Sequence, residues 1–257
     1  MRHPPRGSQV SLWQHLATTL STNDDALAWA AEGAPDMALV SADHQSAGRG
    51  RGDHTWFTHP GTGLTFSLII RPTKHEAEHM TRLPVMAGLA LVRVLDRDYG
   101  IKSDIKWPND VLINERKVAG ILVETTWEKE APLVVVIGMG VNILPAAIQP
   151  QEKLRFPATC LGFETAKPLD GQQLMFKITR EVYRLRKKLH TNWLVRQVNR
   201  SLAYKNTLVQ LHPPTGKSRQ VHLLGIDGQG QLLVRTEQQL REAISAGELE
   251  ITYNDVA

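Results

Sequence analysis

The stretch SAGRGRGDHTWF, Ser46 to Phe57, packs three glycines and two arginines into the five positions Gly48–Gly52. Glycine lets backbone amides approach a ligand closely, and arginine supplies a planar fork of donors matched to phosphate or carboxylate oxygens. Such residues serve an RGD adhesion loop, an RGG-type RNA tract, or a loop folded over an anion. RGG tracts are repeated and disordered, whereas this one occurs once, between two apolar runs that read as strands. Adhesion needs an extracellular loop, and the rest of the chain reads as cytoplasmic. The anion reading is the one the residues favour.

A second group of cations lies in KWPNDVLINERKVAGILVE, Lys106–Glu124. Lys106 and Lys117 flank a turn in which Pro108 fixes the backbone and Asn109-Asp110 present polar groups. Lys117 opens a strand whose Gly120 leaves room for something to lie against the sheet. Taken singly, each lysine reads as a solvated hairpin residue. HEAEH at His75–His79 matches the zinc-protease pattern, yet no glutamate occurs between Glu78 and Glu115 and no histidine between His79 and His190. Pro84 follows closely, where it suits the first turn of a helix. HEAEH reads as a solvated helix start. Cys160, the single cysteine, reads as a small buried apolar residue.

Elements must position these groups. LSTNDDALAWAAEG carries a helix start, with Ser21 or Thr22 as cap, acids in the first turn and Gly33 as stop. Strands are expected at 36–42, 63–72, in DIKW, DVLI and KVAGILVE, and in LVVVIGMGVNI. Helical spacing runs from about His75 to Tyr99 and from Gly171 to His190. This mixture indicates an α+β or α/β domain, a sheet with helices on one side. After about Tyr204 short strands separated by turns suggest a small β-barrel of SH3 size. The expected division is 1–203, with residues 1–11 as a flexible tail, and 204–257.

The 257 residues are 42% hydrophobic and 22% charged, so a sizeable core is within reach. The net charge of +4 fits anionic small molecules or an acidic partner as well as nucleic acid. A single cysteine excludes an internal disulfide and fits a reducing compartment. The N-terminus lacks an apolar signal run, and the most apolar stretch, Leu133–Val141, is too short to span a bilayer. A soluble cytoplasmic protein is expected.

In order along the chain, STN at Ser21–Asn23, QSAGRGR at Gln45–Arg51, Trp56, KWPND at Lys106–Asp110, RKVAGILVE at Arg116–Glu124 and GMGVN at Gly138–Asn142 together resemble the biotin protein ligases. The resemblance covers most of the chain, and GIDGQGQLLV at Gly225–Val234 looks like the family's C-terminal module. It implies a mixed-sheet catalytic domain of the class II tRNA-synthetase-like type, followed by an SH3-like barrel. It also implies two half-reactions. Biotin and MgATP give biotinyl-5′-AMP and pyrophosphate, and a lysine amine of a biotin carboxyl carrier protein then takes the biotin as an amide.

By the same resemblance Ser21, Thr22, Asn23 and Gln45 bond the ureido head of biotin, with local alternatives as cap, first-turn or loop residues. Gly48, Arg49, Gly50 and Arg51, in the loop that covers the adenylate, complete the biotin site with Lys117 and Gly120. Arg49, Arg51, Trp56, Lys106, Asn109, Lys117 and Asn142 face ATP, and Lys117, Arg49 and Arg51 act in catalysis. Trp56 either covers adenine or packs under the loop. Asp110 either holds Mg²⁺ or satisfies a turn backbone.

Gly52, Asp53 and His54 depart from the basic or glycine residues common after the double arginine-glycine element, and Asp53 puts a negative charge near the triphosphate path. About twenty residues precede STN, too few for a helix-turn-helix, so no specific DNA binding is expected. No membrane partner is expected, and a homodimer stays open. The competing readings are a lipoate ligase or octanoyltransferase of related fold, and a non-enzymatic RNA- or protein-binding module.

Overall fold

The computed structural model describes residues 2–57, 59–129, 131–150 and 156–251. Strand β1 (Trp13–Thr19), helix α1 (Thr22–Ala31), β2 (Leu39–Gln45) and β3 (Gly63–Ile70) come first. The short α2 (Lys74–Ala77) and the long α3 (Leu83–Val94) follow, then β4 (Asp104–Lys106), β5 (Asp110–Ile113), β6 (Arg116–Glu128) and β7 (Ala131–Asn142). Helices α4 (Leu161–Glu164), α5 (Gly171–Arg186) and α6 (Asn192–Arg200) complete the larger part.

The first seven strands form one mixed sheet in the order β1-β2-β3-β7-β6-β5-β4, parallel only between β1 and β2. Alternation along each strand decides what covers each face. Leu64, Phe66, Leu68 and Ile70 of β3 and Val135, Ile137, Met139 and Val141 of β7 share one core with α3 and α5. Helix α3 is buried on nearly every side because it lies between the sheet and α5. Pro84 occupies its first turn, as its position suggested.

The opposite face is not bare. Val40, Ile69, Val134 and Val136 pack there against Ala26, Trp29 and Ala30 of α1. The expectation of helices on one side therefore fails for α1. Its short apolar stripe needs only the small cluster at one end of the sheet, and the rest of that face stays open.

After residue 207 come β8 (Leu208–His212), β9 (Arg219–Ile226), β10 (Leu232–Arg235), β11 (Arg241–Ile244) and β12 (Glu248–Ile251). They form an antiparallel sheet ordered β11-β10-β9-β8-β12. No ladder joins β11 to β12 among the described residues, because β12 adds to β8. The sheet is open where a closed barrel was expected. Its β9–β10 turn is held by the larger part: Arg82, fixed by a bond to Leu189 O at 2.7 Å, donates to Gly228 O, Thr81 Oγ1 to Gln229 O at 2.6 Å, and Trp107 Nε1 to Gly230 O at 3.0 Å.

Residues 2–11, expected as a loose tail, lie against the domain. Arg2 N donates to Trp13 O at 2.8 Å, and Ser8 and Val10 are buried. Helix α6 and strand β1 were not anticipated. The last six residues of the chain lie outside the described part.

Candidate active site

The open part of the α1 face carries the site. Cross-strand register lines up Ser67 of β3, Gly138 of β7 and Leu122 of β6 in one row, and Thr65, Gly140, Gly120 and Asp110 of β5 in the next. Where Val134 and Val136 meet α1, the same face of β7 continues as Gly138 and Gly140. A Cβ at Gly138 would overlap the Asn23 side-chain oxygen, and one at Gly140 would overlap the Trp56 indole. The glycines of GMG are a floor cut low enough for these two side chains.

A cavity of about 300 Å³ lies over this floor. Its wall includes Ser21, Thr22, Asn23 and Gln45 at one end, Arg49, Gly50, Arg51 and Trp56 from the loop, and Lys106, Asn109, Asp110, Lys117 and Gly120 at the other end. The sequence-expected residues are thus brought together with two exceptions. Gly48 lies behind the wall, where a side chain would collide with the Trp56 carbonyl. Asn142 is buried and donates to Thr159 O at 3.0 Å, holding the segment whose Phe156 lines the cavity.

The polar end is uncharged and cross-bonded. Gln45 Oε1 accepts from Thr22 N at 2.8 Å and Thr22 Oγ1 at 2.9 Å. Ser67 Oγ stands 2.7 Å from Thr22 Oγ1 and donates to Asn23 Oδ1 at 2.6 Å. Ser21 occupies the cap position of α1, but its side chain makes no cap bond. That hydroxyl is spared for the cavity.

The loop from Gly48 to Trp56 is a hairpin of its own. Gly50 N donates to His54 O at 2.6 Å, Trp56 N to Gly48 O at 2.8 Å, and Gly52 turns the chain at φ 61°. Arg49 reaches back to Asp24 Oδ1 at 2.5 Å and Glu124 Oε2 at 2.8 Å, while Glu124 also accepts from Asn23 Nδ2 at 2.7 Å. Arg51 Nη1 donates to Gly247 O at 3.0 Å, and His54 lies 2.8 Å from Glu248 Oε1. Glu248 and Leu249 of β12 line the cavity too.

Cations dominate the far end. Lys117 Nζ stands 2.7 Å from Asp110 Oδ1, a close ion pair not aligned as a hydrogen bond. Lys106 is only 9% exposed, 3.9 Å from the Phe156 ring, and has no ion pair among the described residues. Burial lowers its pKa and Lys117 adds to that, against the opposing pull of Asp110, Glu248 and Glu250. A buried ammonium beside a second lysine is a place suited to an anion. Asn109 lines the wall, but its amide is committed to Ile121 O at 2.8 Å, which fixes the turn onto β6.

Sequence reasoning missed Ser67, Glu124 and Glu248, and it read Asp24 only as a first-turn acid and His54 only as a departure within the loop. For Glu124 a signal existed: Gly120, Leu122 and Glu124 alternate onto one strand face. HEAEH does not join the cavity wall. His75 lies in α2 behind a Thr73–Glu76 capping box, a helix start as expected. Burial and the Arg82 charge lower the His79 pKa.

Comparison with known proteins agrees with this geometry. Residues 17–142 match the Biotin/lipoate A/B protein ligase family. A biotin--[acetyl-CoA-carboxylase] ligase of Paracoccus denitrificans is 33% identical over 242 residues, covering 91% of this chain and 98% of that one. The bifunctional ligase/repressor BirA of Bacillus spizizenii is 31% identical over 247 residues, 88% of this chain and 70% of the relative. The structure of a biotin protein ligase from Aquifex aeolicus in complex with biotin and ATP superposes with a TM-score of 0.79 at 26% identity, over 93% of this chain and 98% of the other. With a cavity polar at one end and cationic at the other on a shared fold, the chain belongs to the biotin protein ligase family.

Proposed function

We propose that this chain activates biotin with ATP to biotinyl-5′-AMP and transfers the biotin to a lysine of a biotin carboxyl carrier protein. The observation that carries the assignment of the site is Lys106, buried and without an ion pair among the described residues, beside Lys117 and across one cavity from the neutral cluster of Ser21, Thr22, Asn23 and Gln45. The neutral end offers donors and acceptors for a ureido group. The cationic end suits a triphosphate.

In the first step a biotin carboxylate oxygen bonds to the α-phosphorus and pyrophosphate leaves. Two anions brought within a few Å repel by about 1–4 kcal/mol at effective dielectrics of water or a protein surface. Lys117, Lys106, Arg49 and Arg51 offset that repulsion and the charge building at phosphorus. Arg49 must exchange Asp24 or Glu124 for the ligand as it does so. In the second step the carrier amine attacks the acyl carbon and AMP leaves. The hairpin loop, held to β12, shields the anhydride from water. Trp56, lying over Gly120 and Gly140, supplies a flat apolar surface for a ring. Gly48 and Asn142 shape the wall from behind.

Magnesium prefers oxygen ligands and retains waters and phosphate oxygens. Asp110, whose buried Oδ1 has no hydrogen-bond partner among the described residues, would hold the ion as one carboxylate ligand, and the ion would supply charge neutralisation for the departing pyrophosphate. The C-terminal sheet, from about residue 204, has the size and strand number of an SH3-like module, and it serves here as one wall of the site. The proposed use of ATP and a single cysteine, Cys160, buried and outside any disulfide, support a cytoplasmic setting.

The test is to incubate the protein with ATP, Mg²⁺, biotin and a carrier domain and to weigh the carrier. One added biotin per carrier, lost when its acceptor lysine is replaced, is expected. Addition of lipoate or octanoate in preference to biotin overturns the substrate assignment.

A further inference from the structure

The fold places the HEAEH stretch beside a histidine far away in sequence. His75 lies in α2, Glu78 and His79 in the turn after it, and one ligand atom from each lies within 4.8 Å of the others. His190 follows α5, and its ring centre is 4.7 Å from that of His75, which is in turn 5.6 Å from that of His79. With metal–nitrogen bonds of about 2.0–2.1 Å, two imidazoles on one tetrahedral ion hold their ring centres roughly 5 Å apart. Both spacings lie near that value.

The second observation is a buried atom. Nδ1 of His79 is shut off from solvent and has no hydrogen-bond partner among the described residues. Buried polar atoms are nearly always paired, so an orphan next to two further imidazoles and a carboxylate points to something absent from the protein chain itself. Arg82, the nearby cation, is turned to the carbonyls of Leu189 and Gly228. None of the four residues lines the active-site cavity.

We propose that His75, Glu78, His79 and His190 bind one divalent transition-metal ion, remote from the ligase chemistry. Imidazole with one carboxylate suits zinc, with nickel and copper as close competitors. The exposed side chains of His75 and Glu78 have to draw in, and the exposed His190 ring has to turn a nitrogen toward the group, to reach bonding distance, which their free rotamers allow. The ion ties the segment after β3 to the end of α5. That segment continues into Thr81 and Arg82, which hold the β9–β10 turn of the C-terminal sheet, so the ion stiffens the junction between the two sheets.

The full chain, free of any affinity tag and stripped with a chelator, is titrated with zinc chloride by calorimetry, and its thermal midpoint is followed in parallel. One equivalent per chain, a Kd tighter than about 10 µM and a rise in thermal midpoint are expected. His75→Gln and His190→Gln, both at exposed positions, weaken binding at least about tenfold and remove the thermal shift while far-ultraviolet circular dichroism stays that of wild type. His79→Gln behaves likewise, and His59→Gln, elsewhere on the surface, binds as wild type does. Zinc binding that survives the His75→Gln/His190→Gln double variant, or no saturable binding, overturns the site.

Discussion

Lys117 stands at the head of β6 with its amine 2.7 Å from Asp110 and its own strand lowered at Gly120. Replacing it with alanine removes a cation that acts where charge develops, a loss of about 10²–10³ in the rate of adenylate formation. The measurement is biotin-dependent pyrophosphate release, with circular dichroism confirming an unchanged fold. Gly138→Ala works from the floor: its methyl displaces Asn23 from Ser67 and Glu124. The KM for biotin rises at least about tenfold, equivalent to about 1.4 kcal/mol, while the KM for ATP changes much less. At this scale the site was largely legible, because lysines, arginines and glycines at fixed spacing keep their chemistry wherever the chain goes. What a lone sequence does not carry is the partner across the cavity. Arg49 was expected to face the ligand, and the protein also supplies Asp24 and Glu124 to hold it.

Among the elements, the loop and β12 are tied to each other. Arg51 and His54 are both tied to β12 or its approach, through Gly247 O and Glu248. Glu248→Ala releases one of these ties, so trypsin cleaves after Arg49 and Arg51 faster than in wild type, and biotinyl-AMP leaks and hydrolyses sooner. Saturating biotin plus ATP restores protection in wild type more fully than in the variant. Cleavage unchanged by both the substitution and the ligands contradicts a lid. The strand at Glu248 was visible in GELEI from its alternation, but its seat beside the active site was not. That seat depends on pairing with β8 and on Arg82, Thr81 and Trp107 gripping a turn far along the chain. Local pattern encodes strands and leaves open which edge a strand joins. The same reason hid the packing of α1 on the second sheet face.

At the scale of the whole molecule, one buried arginine holds three segments together. Arg186 at the end of α5 pairs with Asp36 at 2.7 Å and Glu76 at 2.6 Å and donates to Arg71 O at 3.0 Å. Its side chain is 10% exposed against 40% for Asp36. Arg186→Ala therefore costs about 3 kcal/mol, the low end for breaking a buried pair, read as a fall in the urea midpoint. Glu76 sets the pH dependence. Burial raises its pKa, but the bonds from Arg186 and Thr73 and the Arg186 charge outweigh it, so the folded value lies below 4.5. This stabilisation is complete above the unfolded pKa and is lost as pH falls through the lowered folded one. Between neutral pH and about pH 4 the wild type keeps it, and below that the gap between wild type and Arg186→Ala narrows.

The claim on which the rest depends is that this cavity joins biotin to AMP. Exchange of labelled pyrophosphate into ATP, measured with no carrier present, reports that step alone. Exchange that requires biotin, is not supported by lipoate or octanoate, and falls about 10²–10³ in Lys117→Ala is the predicted result. Exchange without biotin, or an undiminished rate in Lys117→Ala, contradicts it.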